Sequence, residues 1–312
     1  MKKLNFIIKC GLALLLLSFY SCESWLNVTP SDRLSEEMLF NDREGFVKAL
    51  NGVYIELNTN ELYGRNLTAG ALDVMGQYYS VASSSHAFYN YGGLVYTGND
   101  EKALFDNMWQ KCYAVIACCN TIIEKCDENK AGLSPVWKGA IKGEALALRA
   151  MLHFDMLRLF GPLTSELDKE SIPYQTNSDQ TVTPLLSGSE VVGLILDDLK
   201  NAVGLLKDTD PYFVEEEFSD TDLNYRRFRM NYFAAKGLMA RVQLWGGDKE
   251  KAAATAKEVI AEGQAEGAEF FPFVTNSEAT SSNPDRVFYS EVLFGTYHSS
   301  REKLHEDLFA PT

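Results

Sequence analysis

The stretch AKGLMARVQLWGGDKEKAAATAKEVI, residues 235–260, decides how the chain is read. Apolar side chains recur at helical spacing on both sides of Gly246-Gly247-Asp248, and Asp248 is placed to cap whatever follows. The spacing predicts helices over about 230–245 and 248–262. A joint of two or three residues leaves them no choice but to run antiparallel, as a hairpin.

Alanines facing large side chains across such a turn give the rhythm of tetratricopeptide hairpins, in which small residues let two helices approach closely. A faint repeat lies 85 residues upstream: Phe160-Gly161 aligns with Trp245-Gly246, Ala150 with Ala235 and Leu159 with Leu244. Further helices follow from the same period. Phe46, Ala49, Leu50, Val53, Tyr54 and Leu57 form one stripe on a helix starting near Asp42. Residues 101–127 carry an apolar face from Leu104 to Cys126, continuous for about six turns at 3.6 residues each. A helix over 134–160 carries Trp137, Ile141, Ala145, Leu148, Leu152, Met156 and Leu159, and stops at Gly161-Pro162. Ser189 is expected to cap a helix whose inner face is Val192, Ile195, Leu199, Ala202, Val203 and Leu206.

The fold class expected is therefore mainly α: tetratricopeptide-like helical hairpins with long irregular loops. Those loops are 80–100, 163–188 and 208–228, too long for simple connections. After Pro284 the run RVFYSEVLFGTYH is rich in β-branched and aromatic residues and predicts a short strand or extended arm.

The N-terminus has a different purpose. Lys2, Lys3 and Lys9 precede an uncharged run to Tyr20, then Ser21 and Cys22, the basic, apolar, small-residue order of a secretory signal peptide. About ten uncharged residues are half of what a membrane-spanning helix needs. A small residue directly before cysteine resembles the bacterial lipobox, in which the cysteine is lipidated and becomes the new N-terminus. Phe19 and Tyr20 stand in bulky places where that motif usually has leucine three residues before the cysteine, so ordinary cleavage nearby stays open beside lipidation at Cys22. Residues 1–21 are read as the signal and 22–312 as the mature chain. Losing three lysines takes the formal charge from −14 to −17. So acidic a surface argues against nucleic acid as a partner and against adhesion to anionic lipid by charge.

Cys112, Cys119 and Cys126 recur every seven residues, about 10.5 Å apart along a helix. That exceeds the ~7 Å Cα limit for a disulfide, and the spacing is not that of paired zinc ligands. With Cys118 they are read as small core hydrophobes.

Several segments together resemble the RagB/SusD family of outer-membrane nutrient-binding lipoproteins: SCESWLNVTPSDRLSEEMLFNDREGFVKALNGVY, LDVMGQYY, MWQKCYAVIACCNTIIEKC, GEALALRAMLHFDMLRLFGPL, RMNYFAAKGLMARVQLWGGDKEKAAATAKEVI and DRVFYSEVLFGTYH. Their order and spacing cover most of residues 21–297. The resemblance implies a surface-exposed lipoprotein, anchored in the outer membrane by its N-terminal lipid. Such proteins sit on a SusC-like TonB-dependent transporter and hand it oligosaccharides or other nutrients, binding without cutting. It also implies that family members run well beyond SEVLFGTYH, so that residues 22–312 hold the N-terminal portion of the family fold without its C-terminal portion.

A sugar ring offers C–H faces that pack on aromatic rings and hydroxyls that need planar polar partners. The segment QYYSVASSSHAFYNYGGLVYTGND, which matches the region where the family places part of its ligand platform, supplies both. Tyr79, Phe88, Tyr89, Asn90, Tyr91 and Tyr96 are the candidate ligand-binding residues. The competing account is that Tyr78 and Tyr79 end a packed helix while the other rings pin a long loop to the scaffold.

Other chemistry is thinly supported. Asp220, Asp222 and Asn224 match the first, third and fifth positions of a calcium loop, but Tyr225 stands where glycine is required and Asn231 where a bidentate glutamate is expected. In HEDLF, Phe309 takes the second histidine position of a zinc-protease helix. His153, within a packing helix, reads as a hydrogen-bonded structural histidine. No nucleophile elbow, phosphate loop or dinucleotide fingerprint is present, so no catalytic residue, metal or cofactor is assigned. Glu215, Glu216 and Glu217 read as a charged surface run. Two other functions stay open: a tetratricopeptide-like envelope adaptor without a small ligand, and a secreted glycan hydrolase.

Overall fold

A computed structural model describes residues 36–179, 181–214, 217–218, 223, 225–265 and 268–309. The expected signal segment, Cys22, Glu215, Glu216, Asp220, Asp222 and Asn224 lie outside the described residues. Two compact units divide the chain at residue 39. Of the first, only the short helix α1 (Glu36–Leu39) is described; everything below concerns the second.

That unit is built from α2 (Arg43–Leu57), α5 (Asn99–Glu128), α6 (Pro135–Phe160), α7 (Gly188–Thr209), α8 (Tyr232–Trp245) and α9 (Lys249–Gly263), with short helices α3 (Ala71–Met75) and α4 (Tyr89–Gly92) between the first two. Asp248 caps α9 as expected; α2 starts at Asp42, whose Oδ1 accepts from Gly45 N at 2.8 Å, and Ser134 caps α6. One cap is corrected: Ser187, not Ser189, starts α7, because Glu190 sits three residues after it and closes a capping box. The inner face of α7 turns with it, so Val191 is buried and Val192 only partly so.

Helix α6 is the axis. It is apolar nearly all round, and such a helix must be enclosed; α5, α7, α2 and α8 pack against it. Its glycines make the closest approach possible. A Cβ at Gly139 would lie 2.6 Å from Thr209 and one at Gly143 2.7 Å from Leu206, so only glycine admits α7 at this distance. The hairpin of α8 and α9 closes through Gly247, whose φ of +93° is a conformation glycine adopts without steric cost.

Cys112, Cys119 and Cys126 are buried in the face that α5 turns inward, as read from the sequence. Cys118 is exposed. One residue from Cys119 is about 100° around a helix of 3.6 residues per turn, which carries it off the apolar stripe.

Charged side chains are buried in the same scaffold, and all of them have partners. Arg226 forms a fork with Asp210 at 2.9 and 2.8 Å and also pairs with Glu144, which in turn receives Arg229 Nε at 3.0 Å and the Tyr54 hydroxyl at 2.8 Å. Burial pushes the Glu144 carboxyl up, but Arg229 and Arg226 together hold it below the ordinary glutamate range. A second fork joins Arg149 to Asp198 at 2.7 Å on both arms.

The connection between α6 and α7, which sequence patterning marks only as a long polar stretch, is a strap bolted to the helices. Strands β1 (Glu170–Pro173) and β2 (Leu185–Ser187) pair antiparallel. Tyr113 donates to Pro173 O at 2.8 Å, Asn120 to the carbonyls of Gln175 and Asn177, and Tyr174 to Asp198 at 2.6 Å. His153 serves the strap as well. It is fully buried, stacks on Tyr174 at 3.9 Å, bonds Arg149 O through Nδ1 and accepts Gln175 N at its Nε2. Burial pushes its pKa down to about 3, so the ring is neutral. This is the structural histidine the sequence suggests.

A second short pairing joins β3 (Gln264–Ala265) to β4 (Ala268–Glu269), followed by the small helix α10 (Asn276–Ala279). Beyond Pro284 the chain takes the extended-arm alternative, with a single 3-10 turn at Tyr289–Glu291 and no strand among the described residues. Asn231, the cap of α8, holds the arm by donating to Leu293 O at 2.7 Å, and Gly295 N donates to Arg227 O. A last helix, α11, covers Arg301–Phe309.

Candidate functional site

Residues 76–98 leave α3 and return to the start of α5. Gln77 clamps the two limbs of this loop: its side-chain amide donates to Val74 O at 3.3 Å and to Gly92 O at 3.1 Å. Both Gln77 and Leu94 adopt positive φ, 61° and 56°, where the chain reverses around the single turn of α4.

The six candidate residues separate into two groups on this frame. Phe88 and Tyr91 are 5% and 2% exposed and pack with Ala71 and Val74 in a small core of their own. For Tyr91 the platform expectation is corrected, because a ring enclosed by packing offers no face to a ligand; Phe88 is mostly consumed by the same core and reaches only the wall of the cleft described below. Tyr91 continues edge-to-face onto Phe105 at 5.8 Å, and from there the aromatic contacts run to Phe160 and Trp109. Tyr79, Tyr89 and Tyr96 are exposed, Tyr96 being propped edge-on by Phe105 at 5.4 Å. Asn90 is exposed, and its amide nitrogen donates to Glu101 Oε1 at 2.8 Å, a bond that lowers the Glu101 pKa. Packing thus accounts for Tyr91 and most of Phe88, and leaves Tyr79, Tyr89 and Tyr96 open to solvent.

Sequence reasoning did not anticipate that α11 joins the site. Tyr79 packs on Phe309 of α11 at 5.1 Å, and a cleft of about 460 Å³ opens between the loop and that helix. Ser83 and His86 line it from the loop side and Glu306 and Asp307 from α11. The His86 ring is fixed by accepting Phe88 N at Nδ1, 3.1 Å away. Serine hydroxyls, an imidazole, carboxylates and tyrosine faces can bind polyhydroxylated ligands, and nothing among them forms a nucleophile–base pair. Among the described residues no three His, Cys, Asp or Glu side chains are grouped to hold a metal, and no helix is long and apolar enough to cross a membrane.

Residues 24–244 match the family described as SusD-like, starch-binding and associating with the outer membrane. The chain belongs to the SusD-like family. A SusD-like protein of Formosa agariphila, P2, is 26% identical over 265 residues, covering 83% of this chain and 46% of that protein. A SusD-like protein of Bacteroides ovatus is 30% identical over 146 residues, 46% of this chain and 23% of that protein. Among solved structures, a SusD-like carbohydrate-binding protein of Bacteroides vulgatus superposes with a TM-score of 0.60 at 24% identity, covering 76% of this chain and 47% of its own. A laminarin-binding SusD-like protein superposes at 0.57 and 17% identity, over 77% of this chain and 48% of its own. The likeness in structure shows the shared SusD-like helical fold. The chain spans less than half the length of these relatives.

Proposed function

We propose that this SusD-like chain is a cell-surface lipoprotein that binds oligosaccharides and delivers them to a SusC-like TonB-dependent transporter, without cutting them. The observation that carries the binding reading is the exposed set Tyr79, Tyr89 and Tyr96 on one clamped loop, with Tyr79 lining a cleft that also holds serine, histidine and carboxylate side chains, in a chain of this family. Rings exposed on a clamped loop are what a sugar's C–H faces require, and Asn90, exposed beside them, carries a planar amide suited to its hydroxyls. Relatives named for carbohydrate or laminarin binding support the ligand class.

Calorimetric titration against a panel of soluble plant, host and microbial oligosaccharides tests the reading. Saturable binding to one class is the expected result. A folded protein that binds none of them would favour the envelope-adaptor function, and release of reducing sugar would favour the hydrolase. The anchor is tested separately: wild-type protein is expected to take up labelled fatty acid and Cys22→Ala to take up none, and equal labelling of the two would remove lipidation at Cys22. Co-purification of an outer-membrane barrel protein with the chain is expected from the delivery step.

A further inference from the structure

A second cleft, of about 420 Å³, shares no lining residue with the loop cleft. It lies between the C-terminal half of α2, the segment 225–229 and the extended arm at 296–297. One of its lining residues, Arg229, is only 5% exposed, yet its guanidinium is incompletely used. Nε serves Glu144 and Nη1 donates to Asn51 at 2.7 Å, whereas Nη2 is buried with no hydrogen-bond partner. A buried donor left unpaired costs about 1–3 kcal/mol. Asn58, also in the lining, has the complementary defect: its amide nitrogen donates to Tyr54 O at 2.9 Å, and its oxygen is buried without a partner.

What could complete both groups is limited by charge. Arg226 and Arg229 face Glu144 and Asp210, two guanidinium groups against two carboxylates, so the cleft holds no surplus cation to attract an acid. The occupant must accept at one point, donate at another, and be neutral. Its walls add a third requirement. Tyr225 and Tyr297 are 67% and 64% exposed at the cleft, and Phe228 props Tyr297 edge-on at 5.6 Å. Broad aromatic faces beside paired polar groups suit a ring with C–H faces and hydroxyls.

We infer that this cleft is a second sugar site, taking a neutral pyranose unit. One hydroxyl accepts from Arg229 Nη2, another donates to Asn58 Oδ1, and a ring face packs on Tyr297. The site does not depend on the loop platform, and it discriminates against uronic acids, because the guanidinium that lines it, Arg229, is already paired with Glu144 and leaves no unmatched cation for a second carboxylate.

The test is fluorine NMR of the full chain labelled with 3-fluorotyrosine, with Tyr225, Tyr297, Tyr79 and Tyr89 assigned by single Tyr→Phe substitutions. The probes are neutral β-1,3-glucan, α-1,4-glucan and xylan oligosaccharides and an oligogalacturonate, up to about 10 mM, beyond the millimolar range of weak binding. Saturable shifts of Tyr225 and Tyr297 with a neutral probe and none with the uronate are expected. The same shifts should survive in Tyr79→Ala/Tyr89→Ala, and Tyr297→Ala should weaken the response of Tyr225 about five- to tenfold, the worth of one aromatic contact. No shift at Tyr225 or Tyr297 with any neutral probe overturns the inference, whether or not the loop tyrosines respond. A tighter response to the uronate overturns it too. The loop resonances report independently on the proposed function.

Discussion

Tyrosines in two regions of this molecule have opposite fates. In the scaffold, Tyr54, Tyr63 and Tyr174 send their hydroxyls to Glu144, Asp155 and Asp198, and burial raises the pKa of all three. In the loop, Tyr79 and Tyr89 present 43% and 42% of their surface to solvent, although the segment is clamped at both limbs. Rigid placement without burial is costly to maintain unless a partner covers the surface. If the loop carries the proposed binding and the charged core carries stability, substitutions should affect one or the other.

The largest effect is expected at Glu144. Replacing it with alanine leaves Arg226 and Arg229 buried without their shared carboxylate, which should cost about 3–5 kcal/mol in urea unfolding. A loss under about 1 kcal/mol would mean the core is not organised around this node.

Acid should weaken the scaffold next. The folded His153 binds its proton only near pH 3, whereas an unfolded histidine does so near 6.5. Its contribution is therefore complete above about pH 6.5 and declines as pH falls, at the slope of one proton, reaching a loss of about 3 kcal/mol by pH 4.5. Relative to wild type, His153→Gln should lose this one-proton slope between pH 6.5 and 4.5. Parallel stability curves for the two proteins would contradict the buried neutral ring.

Gly143→Ala probes the approach of α6 and α7. With its new methyl 2.7 Å from Leu206, a loss of about 1–3 kcal/mol is expected. Tyr89→Ala sits at the other extreme: an exposed ring on the loop should change stability by less than about 0.5 kcal/mol while weakening glycan binding.

The scaffold was readable in advance because its helices obey a period, and a period is a local property. Phe46, Leu50, Val53 and Leu57 are buried where their spacing puts them, and the Gly246-Gly247-Asp248 turn closes the hairpin it predicts. The strap was not readable, since Tyr113, Asn120 and His153 bind backbone groups 22 to 60 residues away and no local pattern encodes such pairs. Within the loop, composition pointed to the segment but not to the residues. Phe88 and Tyr91 are as aromatic as Tyr79 and Tyr89, and only α3 and α5 beneath them determine which rings are consumed by packing. Glu306 and Asp307 entered the cleft unannounced for the same reason, being joined to it by the fold and not by neighbouring sequence.

The most direct test of the division between core and loop is one titration performed twice, with wild type and with Tyr79→Ala/Tyr89→Ala, using the neutral oligosaccharide that wild type binds best. The account predicts at least tenfold weaker binding by the variant at an unchanged unfolding midpoint. Equal affinity in the two proteins would contradict the assignment of sugar binding to the loop.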